Sequence, residues 1–457
     1  MGVILLSPED GIFQALLPAI PEARRDDLIY FDPTDTLDPV IGFNPFDFTE
    51  ADDLSPRERE SYLTLKAGET YTIFERALGE LGVKMTTLMQ GAAYALLQLP
   101  HATILDFDKL LTPYDNVFRH AIASNEAIDA RTRQFWAHYD DSTYYKSTYD
   151  PVINRLDPFF RPPLSTILST SALSFHEALN SPRPRILFCN VSKLRGEQAA
   201  TLGQLIIATI QQTLLRREQI PEKDRTPYLL YIDEFSTFTT SEQSFIDLFE
   251  RARKYRCGVM LAHQVTADLP SKLLDVIVGN VATMLCMQLG AGDAPFFAKE
   301  LQLIEYDHQK ADRLMEREVQ RIQREQAQKQ RNGYLSTRTV LDDPNERAAI
   351  MARIREQSEG GTLPTILQNL ETGKAIAKVP SFHYGIPVTI PYVRDLNTSG
   401  NAALIARSKE NWGKPATVEA PAELAPPPAE TAPAKRGRKK KAAPPDDGER
   451  LFKIKVT

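Results

Sequence analysis

The chain has few of the features that mark secreted, metal-binding or membrane-spanning proteins. Its 457 residues include only three cysteines, Cys189, Cys257 and Cys286, whose spacing fits neither a disulfide framework nor a zinc site. Each cysteine falls in or at the start of an apolar segment, so we predict buried thiols in a reducing cytosol. A signal peptide and an apolar run of ~20 residues are also missing. We therefore expect a cytoplasmic protein, associated with the inner membrane only if a further segment precedes Met1.

An excess of positive charge is missing as well. The formal net charge is −6, which excludes a uniformly basic nucleic-acid-binding protein and means that a basic surface must be local. One dense basic cluster lies at 435–441, inside a Pro- and Ala-rich segment that we predict to be disordered. It serves either as a solubilising tail or as a sequence-independent DNA contact through the phosphates. The candidate DNA-binding residues are Lys435, Arg436, Arg438, Lys439, Lys440 and Lys441.

What the chain does have is an alternation of apolar strands and helices. The apolar runs that predict strands lie at 2–6, 28–31, 185–191, 228–232, 258–262 and 281–287. The helical patterns between them lie at 12–17, 198–217, 242–255 and 272–278. This alternation predicts βαβ units and a parallel sheet. From about residue 55 to residue 175 helical periodicity dominates, which predicts a mostly helical insertion.

The most informative of these strands ends in two adjacent acids. Residues 228–232 are apolar, and Asp233 and Glu234 follow directly. In an open α/β sheet, ligands bind beyond the carboxyl ends of the strands, where this pair would emerge. Nucleotide hydrolysis needs one acid to hold Mg²⁺ and a group to position or polarise the attacking water. Two acids at one strand end can supply both, as in the Walker B motif of P-loop ATPases; the alternative is a strand that runs into a solvated turn.

Three further residues extend the candidate site. Gln264 ends the next predicted strand, where an amide can reach the γ-phosphate or the attacking water. Asn190 ends the preceding strand and is a candidate nucleotide contact, against the alternative of an ordinary strand-to-helix turn. Arg253 belongs to a cluster of cations at a helix end, which the helix dipole partly explains. The sharper hypothesis is that one arginine reaches the γ-phosphate of a neighbouring subunit, which requires a ring.

The order of these motifs resembles that of the conjugative coupling proteins. These are the VirD/TraG-type DNA-translocating ATPases of type IV secretion, in the HerA/FtsK division of P-loop proteins. The resemblance rests on Tyr-Ile-Asp-Glu-Phe at 231–235, Ala-Arg-Lys-Tyr at 252–255 and His-Gln at 263–264. It extends to Gly-Phe-Asn-Pro at 42–45 and to Ser-Pro-Glu-Asp-Gly at 7–11, which stands in place of an Asp-Pro-x-Gly-Asp-like turn but lacks the leading Asp.

The resemblance implies an α/β fold with a RecA-like parallel sheet flanked by helices. It also implies ATP and Mg²⁺ as cofactors, and as partners DNA, relaxase or secretion-channel components and further copies in a ring. By the same resemblance Asp233 would hold Mg²⁺ through water, Glu234 would act as the catalytic acid, and Gln264 would be the sensor. Arg253 would be the candidate arginine finger. The implied division is 1–54 and 181–305 for the two segments of the nucleotide-binding domain, 55–180 for an inserted all-α domain, 306–345 for a charged helix, 346–396 for closing strands of the core, and 397–457 for a disordered tail.

The largest departure from the family is an absence. A phosphate-binding loop has the pattern G-x-x-x-x-G-K-[ST], whose backbone N–H groups and lysine hold the phosphates, and the sequence contains no such pattern. We therefore expect an incomplete P-loop core, a chain that starts partway through a longer protein, and no ATP hydrolysis by this chain alone. Two alternatives stay open. One is a non-enzymatic adaptor or recruitment module, and the other is a related DNA-pumping motor outside conjugation.

Overall fold

The computed structural model of the chain describes residues 1–47, 55–78, 82–99, 101–112, 117–126, 128–139, 143–194, 196–239, 242–306, 308–331, 347–351, 353–354, 359–382, 384–392 and 397–416. The strands are β1 (Gly2–Ser7), β2 (Leu28–Phe31), β3 (Ile186–Asn190), β4 (Tyr228–Ile232), β5 (Cys257–Leu261), β6 (Met284–Cys286), β7 (Ile304–Tyr306), β8 (Glu359–Thr362), β9 (Lys374–Lys378) and β10 (Ile386–Thr389). The helices are α1 (Asp10–Leu16), α2 (Pro56–Leu78), α3 (Val83–Leu96), α4 (Ile104–Leu111), α5 (Val117–Ser124), α6 (Ala130–Ala137), α7 (Thr143–Phe160), α8 (Leu164–Ser169), α9 (Phe175–Asn180), α10 (Glu197–Arg216), α11 (Glu242–Arg251), α12 (Ser271–Asn280), α13 (Ala294–Glu300), α14 (His308–Arg331), α15 (Pro364–Gln368) and α16 (Asn401–Trp412).

Five strands form one parallel sheet in the order β2-β3-β1-β4-β5. Every neighbouring pair in it is parallel, and β1 pairs with β3 on one side and β4 on the other. The strands are apolar because both faces are covered, as parallel sheets require; β2 and β3 are buried along their whole length. The predicted α/β fold with a parallel sheet is confirmed.

The elements between β2 and β3 that the structure describes are helices, from α2 to α9. Its centre is a group of aromatic rings in which Phe74 contacts Phe46, Phe107 and Phe159. Helix α2 ties this region to the sheet's helices through two ion pairs. Arg76 lies 2.7 Å from Asp247 of α11, and Arg216 of α10 pairs with a glutamate of α2. The helical region is therefore fixed to the helix that directly follows the Asp233–Glu234 segment.

The last strands do not close the main sheet. β9 and β10 pair with each other and β9 pairs with β6, all antiparallel, in a separate three-stranded sheet. β7 and β8 form a further antiparallel pair. The prediction that residues 346–396 supply closing strands of the core is therefore corrected, because among the described residues these strands pair only with β6 and β7 and with one another. Strand pairing of this kind joins residues far apart in sequence, which no local pattern encodes.

The prediction of disorder from residue 397 is wrong for residues 397–416. Helix α16 forms there and lies against the outer edge of the main sheet. The Ser408 hydroxyl donates to the Leu28 carbonyl and accepts from the Tyr30 N–H, at 2.9 and 2.8 Å, so a side chain takes the place of a sixth strand beside β2. Lys409 pairs with Asp35 at 2.6 Å. Residues 417–457, and with them the basic cluster at 435–441, lie outside the described residues.

All three cysteines are free and buried, as predicted, and burial raises the pKa of Cys257 to about 11 and that of Cys286 to about 12. Burial also raises the pKa of Cys189. These thiols are therefore protonated and unreactive at neutral pH. No helix in the described ranges combines the length and apolarity that crossing a bilayer needs.

A buried aspartate, Asp27, lies at the amino edge of the main sheet, directly before β2. Asp27 has no exposed side-chain surface and is bonded by Arg24, Arg183 and Arg185 at 2.6, 2.5 and 3.1 Å. Burial alone would raise the pKa of this carboxyl, but the hydrogen bonds and charges of Arg24 and Arg183 lower it below its ordinary value of 3.8. The ionised form of Asp27 is therefore stabilised in the folded chain.

Asp27→Asn should lower the free energy of unfolding at pH 7 by roughly 2–4 kcal/mol, because it leaves arginines beside a neutral side chain. The folded pKa is the lower one, so the contribution of Asp27 is complete above the unfolded pKa of about 4 and declines as the pH falls below that value. Urea unfolding of both proteins at several pH values measures this difference. The matched control is Asp26→Asn, whose half-exposed pair with Arg407 is worth under about 1 kcal/mol. Equal losses of stability in the two variants would contradict the assignment.

Candidate active site

Three strand ends meet at the carboxyl edge of the main sheet. β1 ends at Ser7, β4 is followed by Asp233 and Glu234, and β5 is followed by the segment that carries Gln264. The backbone keeps these ends in register, because the Asp233 N–H donates to the Leu6 carbonyl at 2.9 Å. The structure therefore brings together the two acids and the glutamine that the sequence singles out.

Asp233 is positioned by a hydroxyl from the neighbouring strand. The Ser7 hydroxyl donates to Asp233 Oδ2 at 3.0 Å, and Ser7 is completely buried. The same hydroxyl oxygen accepts from the Glu9 N–H at 3.0 Å, so the start of α1 fixes it in turn. Sequence reasoning missed Ser7 as a site residue. The signal was present, because Ser7 is the first polar residue after the apolar run of β1, as Asp233 is after β4.

Glu234 adopts a conformation that non-glycine residues rarely take. Its φ and ψ are 44° and 48°, in the left-handed region, and such residues cluster at functional sites. The turn is held because the following N–H, of Phe235, donates to the Ala262 carbonyl of the neighbouring strand segment at 3.0 Å. In this arrangement Gln264 Nε2 donates to Glu234 Oε1 at 2.6 Å. The left-handed backbone at Glu234 therefore accompanies a contact between its carboxylate and Gln264, the predicted sensor.

His263 packs against the turn that carries the two acids. Its ring meets the Phe235 ring edge-on, with centroids 5.0 Å apart. Burial lowers the pKa of His263, so its imidazole is neutral at pH 7. In contrast, the phenol of Tyr231 has its pKa raised by burial and then by the charges of Asp233 and Glu234. Ionisation of this phenol is therefore disfavoured beside the two acids.

The other two predicted residues are placed differently. Asn190 ends β3, which is separated from β4 by β1; it is buried, and its Nδ2 donates to Asp10 and to the Tyr30 hydroxyl, both at 2.8 Å. Arg253 is exposed and precedes β5, so it lies at the amino edge of the sheet, one strand length from Gln264. Asn190 therefore lies at the same edge as Ser7, its register partner on β1, but its side chain bonds to Asp10 and Tyr30. Arg253 lies at the opposite edge, and the roles of both residues stay predictions.

The residues at this edge fit part of a magnesium–nucleotide site. Mg²⁺ is usually bound by one or two carboxylates together with water and substrate phosphates. Asp233 matches this chemistry, because Ser7 orients its carboxylate at the strand end. The described residues contain no group of three or more His, Cys, Asp or Glu side chains placed to hold a metal. A metal here would therefore depend on nucleotide phosphates, for which the sequence has no G-x-x-x-x-G-K-[ST] loop.

The parallel sheet with its polar strand ends fits a RecA-like α/β fold. Among solved structures, the chain is similar to the bacterial conjugative coupling protein TrwB in its unbound form, with a TM-score of 0.53, 12% identity, and coverage of 87% of this chain and 79% of that one. It is also similar to TrwB in complex with ADP and Mg²⁺, with a TM-score of 0.55, 11% identity and coverage of 87% and 80%. At these identities the likeness establishes the fold, and the predicted resemblance to the coupling proteins is confirmed at that level. No family profile matches the chain, and no curated protein matches it in sequence.

Proposed function

We propose that the chain is the ATPase core of a coupling-protein-like DNA translocase of conjugation or type IV secretion, completed by a phosphate-binding segment that residues 1–457 do not contain. The observation that carries the proposal is the convergence of Asp233, Glu234 and Gln264 at the carboxyl edge of one parallel sheet. The working form is a cytoplasmic ring of copies that acts on DNA and cooperates with relaxase or secretion-channel components. The solved relatives with ADP and Mg²⁺ or with an ATP analogue support nucleotide binding at this fold.

Each residue of the group has a distinct task. Asp233, oriented by Ser7, would hold Mg²⁺ through water, and the metal would supply neutralisation of charge on the phosphates. Glu234 accepts a proton from the attacking water as a general base. Gln264 donates to Glu234 at 2.6 Å, and bound γ-phosphate or attacking water would compete for its amide. Gln264 therefore transmits the presence of nucleotide to β5, and through α11 and Arg76 to the helical region.

The test is ATP turnover with and without single-stranded and duplex DNA. It uses the chain joined to a strand, a phosphate-binding loop and a helix. We expect turnover that DNA stimulates, while the 457 residues alone stay at background. Robust hydrolysis by the 457 residues alone would overturn the requirement for the added loop. If the joined protein binds ATP but does not hydrolyse it, the adaptor function is favoured instead.

The basic cluster at 435–441 should give the chain a salt-dependent affinity for DNA. We expect the full chain to bind duplex DNA more tightly than a truncation after Ala416, with a steeper salt dependence. The two slopes should differ by about 0.9 for each phosphate that the cluster neutralises. Fluorescence anisotropy at several salt concentrations measures both the affinity and the slope. The truncation keeps α16, which covers the edge of β2, so we expect the truncated chain to fold as the full chain does. If the full chain and the truncation had equal affinities and equal slopes, the basic cluster would not bind DNA, and any DNA binding would belong to the helical region.

A further inference from the structure

A cavity of about 370 Å³ lies where the chain returns from the helical region to the main sheet. Its wall combines the end of the helical region with β2, the start of β3 and the end of α16, and it includes Ile29, Leu173, Ala178, Asn180, Arg185 and Trp412. Small-molecule sites usually have volumes of roughly 300–1,000 Å³ and apolar walls with a few polar groups. Because Arg185 directly precedes β3, the cavity lies toward the amino edge of the sheet, away from the Asp233 group.

Two nitrogen donors in this wall have no acceptor. Trp412 Nε1 and Asn180 Nδ2 are buried, and neither has a hydrogen-bond partner in the described part of the chain. The orientation of the Asn180 amide is fixed, because its Oδ1 accepts from Nε of the buried Arg217 at 2.9 Å. The opposite orientation would set two donors against each other, so the unpartnered atom of Asn180 is its donor. Buried donors without an acceptor are rare, and these two favour a ligand with acceptor atoms.

Arg185 adds a positive charge beside these donors. Its guanidinium carbon lies 4.6 Å from the centroid of the Trp412 ring. A guanidinium has five N–H donors, and among the described residues the Arg185 group donates only to Asp27, at 3.1 Å. Asp27 also pairs with Arg24 and Arg183, so three arginines share one carboxylate. The cluster beside the cavity therefore has an excess of positive charge.

This set of donors selects an anion that has acceptors only. A nucleobase or an amide has donors of its own, and these would face the donors of the wall. A carboxylate has only acceptors, and a guanidinium binds it with parallel hydrogen bonds. Among the described residues that line the cavity, Glu177 is the only acid, and it is exposed to solvent.

We propose that this cavity binds an organic carboxylate. Its oxygens accept from Arg185, Trp412 and Asn180, and its apolar body packs on Ile29 and Leu173. The carboxylate belongs either to a free small molecule or to an acidic side chain in residues 417–457, which follow Trp412 closely in the sequence. The proposal concerns a site apart from the Asp233 group, so it does not depend on the proposed function.

The test follows the indole N–H resonances by NMR while the chain is titrated with phenylacetate. The chain has two tryptophans, and Trp412→Phe identifies the resonance of Trp412. We expect phenylacetate to shift this resonance saturably, while Trp136, buried in the helical region, stays in place. Phenylacetamide has the same apolar body but replaces one acceptor oxygen by a donor. It should bind at least about ten-fold more weakly, because it loses the hydrogen bonds of a charged group.

Asn180→Asp tests the site with a change of one atom. The substitution keeps the oxygen that accepts from Arg217 and replaces the unpartnered Nδ2 by a carboxylate oxygen. Affinity for phenylacetate should fall at least about ten-fold, because the new charge repels the ligand. An unmoved Trp136 resonance shows that the fold is retained. The matched control is Asn280→Asp, which adds the same charge at an exposed position of α12 and should leave the affinity unchanged.

Titration of the full chain and of a truncation after Ala416 separates the two sources of the carboxylate. Similar affinities in both assign the site to a free carboxylate. Binding by the truncation alone assigns it to an acidic side chain of residues 417–457. Equal affinities for phenylacetate and phenylacetamide, or tighter binding of phenyl phosphate, would overturn the choice of a carboxylate. If neither protein gives a saturable shift of the Trp412 resonance, the site itself is wrong.

Discussion

Glu234→Gln should reduce ATP turnover by about 10²–10⁴-fold in the chain joined to a phosphate-binding segment. The substitution keeps the size of the side chain but removes the carboxylate that accepts the proton from water. Nucleotide affinity should change little, because Asp233 and the added loop hold the Mg²⁺ and the phosphates. Steady-state turnover and equilibrium binding of a fluorescent ATP analogue measure the two effects separately.

Two controls make this result specific to Glu234. Glu250→Gln changes an exposed glutamate at the end of α11 and should leave turnover unchanged. Gln264→Ala should lower turnover less than Glu234→Gln, because it removes the amide that contacts Glu234 at 2.6 Å but leaves the base. A Glu234→Gln protein with full turnover would show that another group activates the water.

Arg253→Ala should lower turnover by about 10³–10⁵-fold in the assembled ring, the range for an arginine finger, while ATP binding is retained. Arg253 precedes β5 and Gln264 follows it, and the length of the strand separates the two edges by about 16 Å. If Arg253 contacts a γ-phosphate, that phosphate must therefore belong to the site of a neighbouring subunit. The measurement is turnover as a function of the mixing ratio of Arg253→Ala and Glu234→Gln subunits.

Mixed rings should recover part of the activity, because some interfaces pair an intact Arg253 with an intact Glu234. Lys254→Ala is the control: it removes an adjacent exposed cation that already pairs with Glu218 at 2.8 Å, and it should have little effect. If rings shown to be mixed recover no activity at any ratio, the shared site is wrong. In that case Arg253 would be an exposed arginine that only compensates the dipole at the end of its helix.

The sequence predicts the parts of the fold and site that depend on local pattern. Apolar runs that stop at a polar residue locate the ends of β4 and β5, so Asp233, Glu234 and Gln264 can be named from the sequence. The contact between Ser7 and Asp233 cannot, because it depends on β1 lying next to β4, and the two residues are 226 positions apart. The left-handed backbone of Glu234 is likewise set by a bond from the next residue to Ala262.

The elements that the sequence does not predict share a physical cause. Helix α16 is half polar, and it packs Leu404 and Ile405 on one apolar cluster and Trp412 on another, so hydrophobic periodicity predicts it only weakly. Its docking depends on the Ser408 hydroxyl and on the Lys409–Asp35 pair, which join residues far apart in the chain. The pairing of β6 with β9 is equally non-local. Local sequence patterns predict which segments are buried, but they do not predict which segments contact one another.

The central claim is that the carboxyl edge of the main sheet is a nucleotide site, and paramagnetic broadening by Mn²⁺–ATP tests it most directly. Weak binding suffices for this measurement, so the 457 residues can be used as they are. We expect the methyl groups of Ile232 and Leu261, at the carboxyl ends of β4 and β5, to broaden, while Ile186 at the amino end of β3 stays sharp. Asp233→Asn should abolish the broadening. Equal broadening at both edges, or broadening that survives Asp233→Asn, would contradict the assignment of the site.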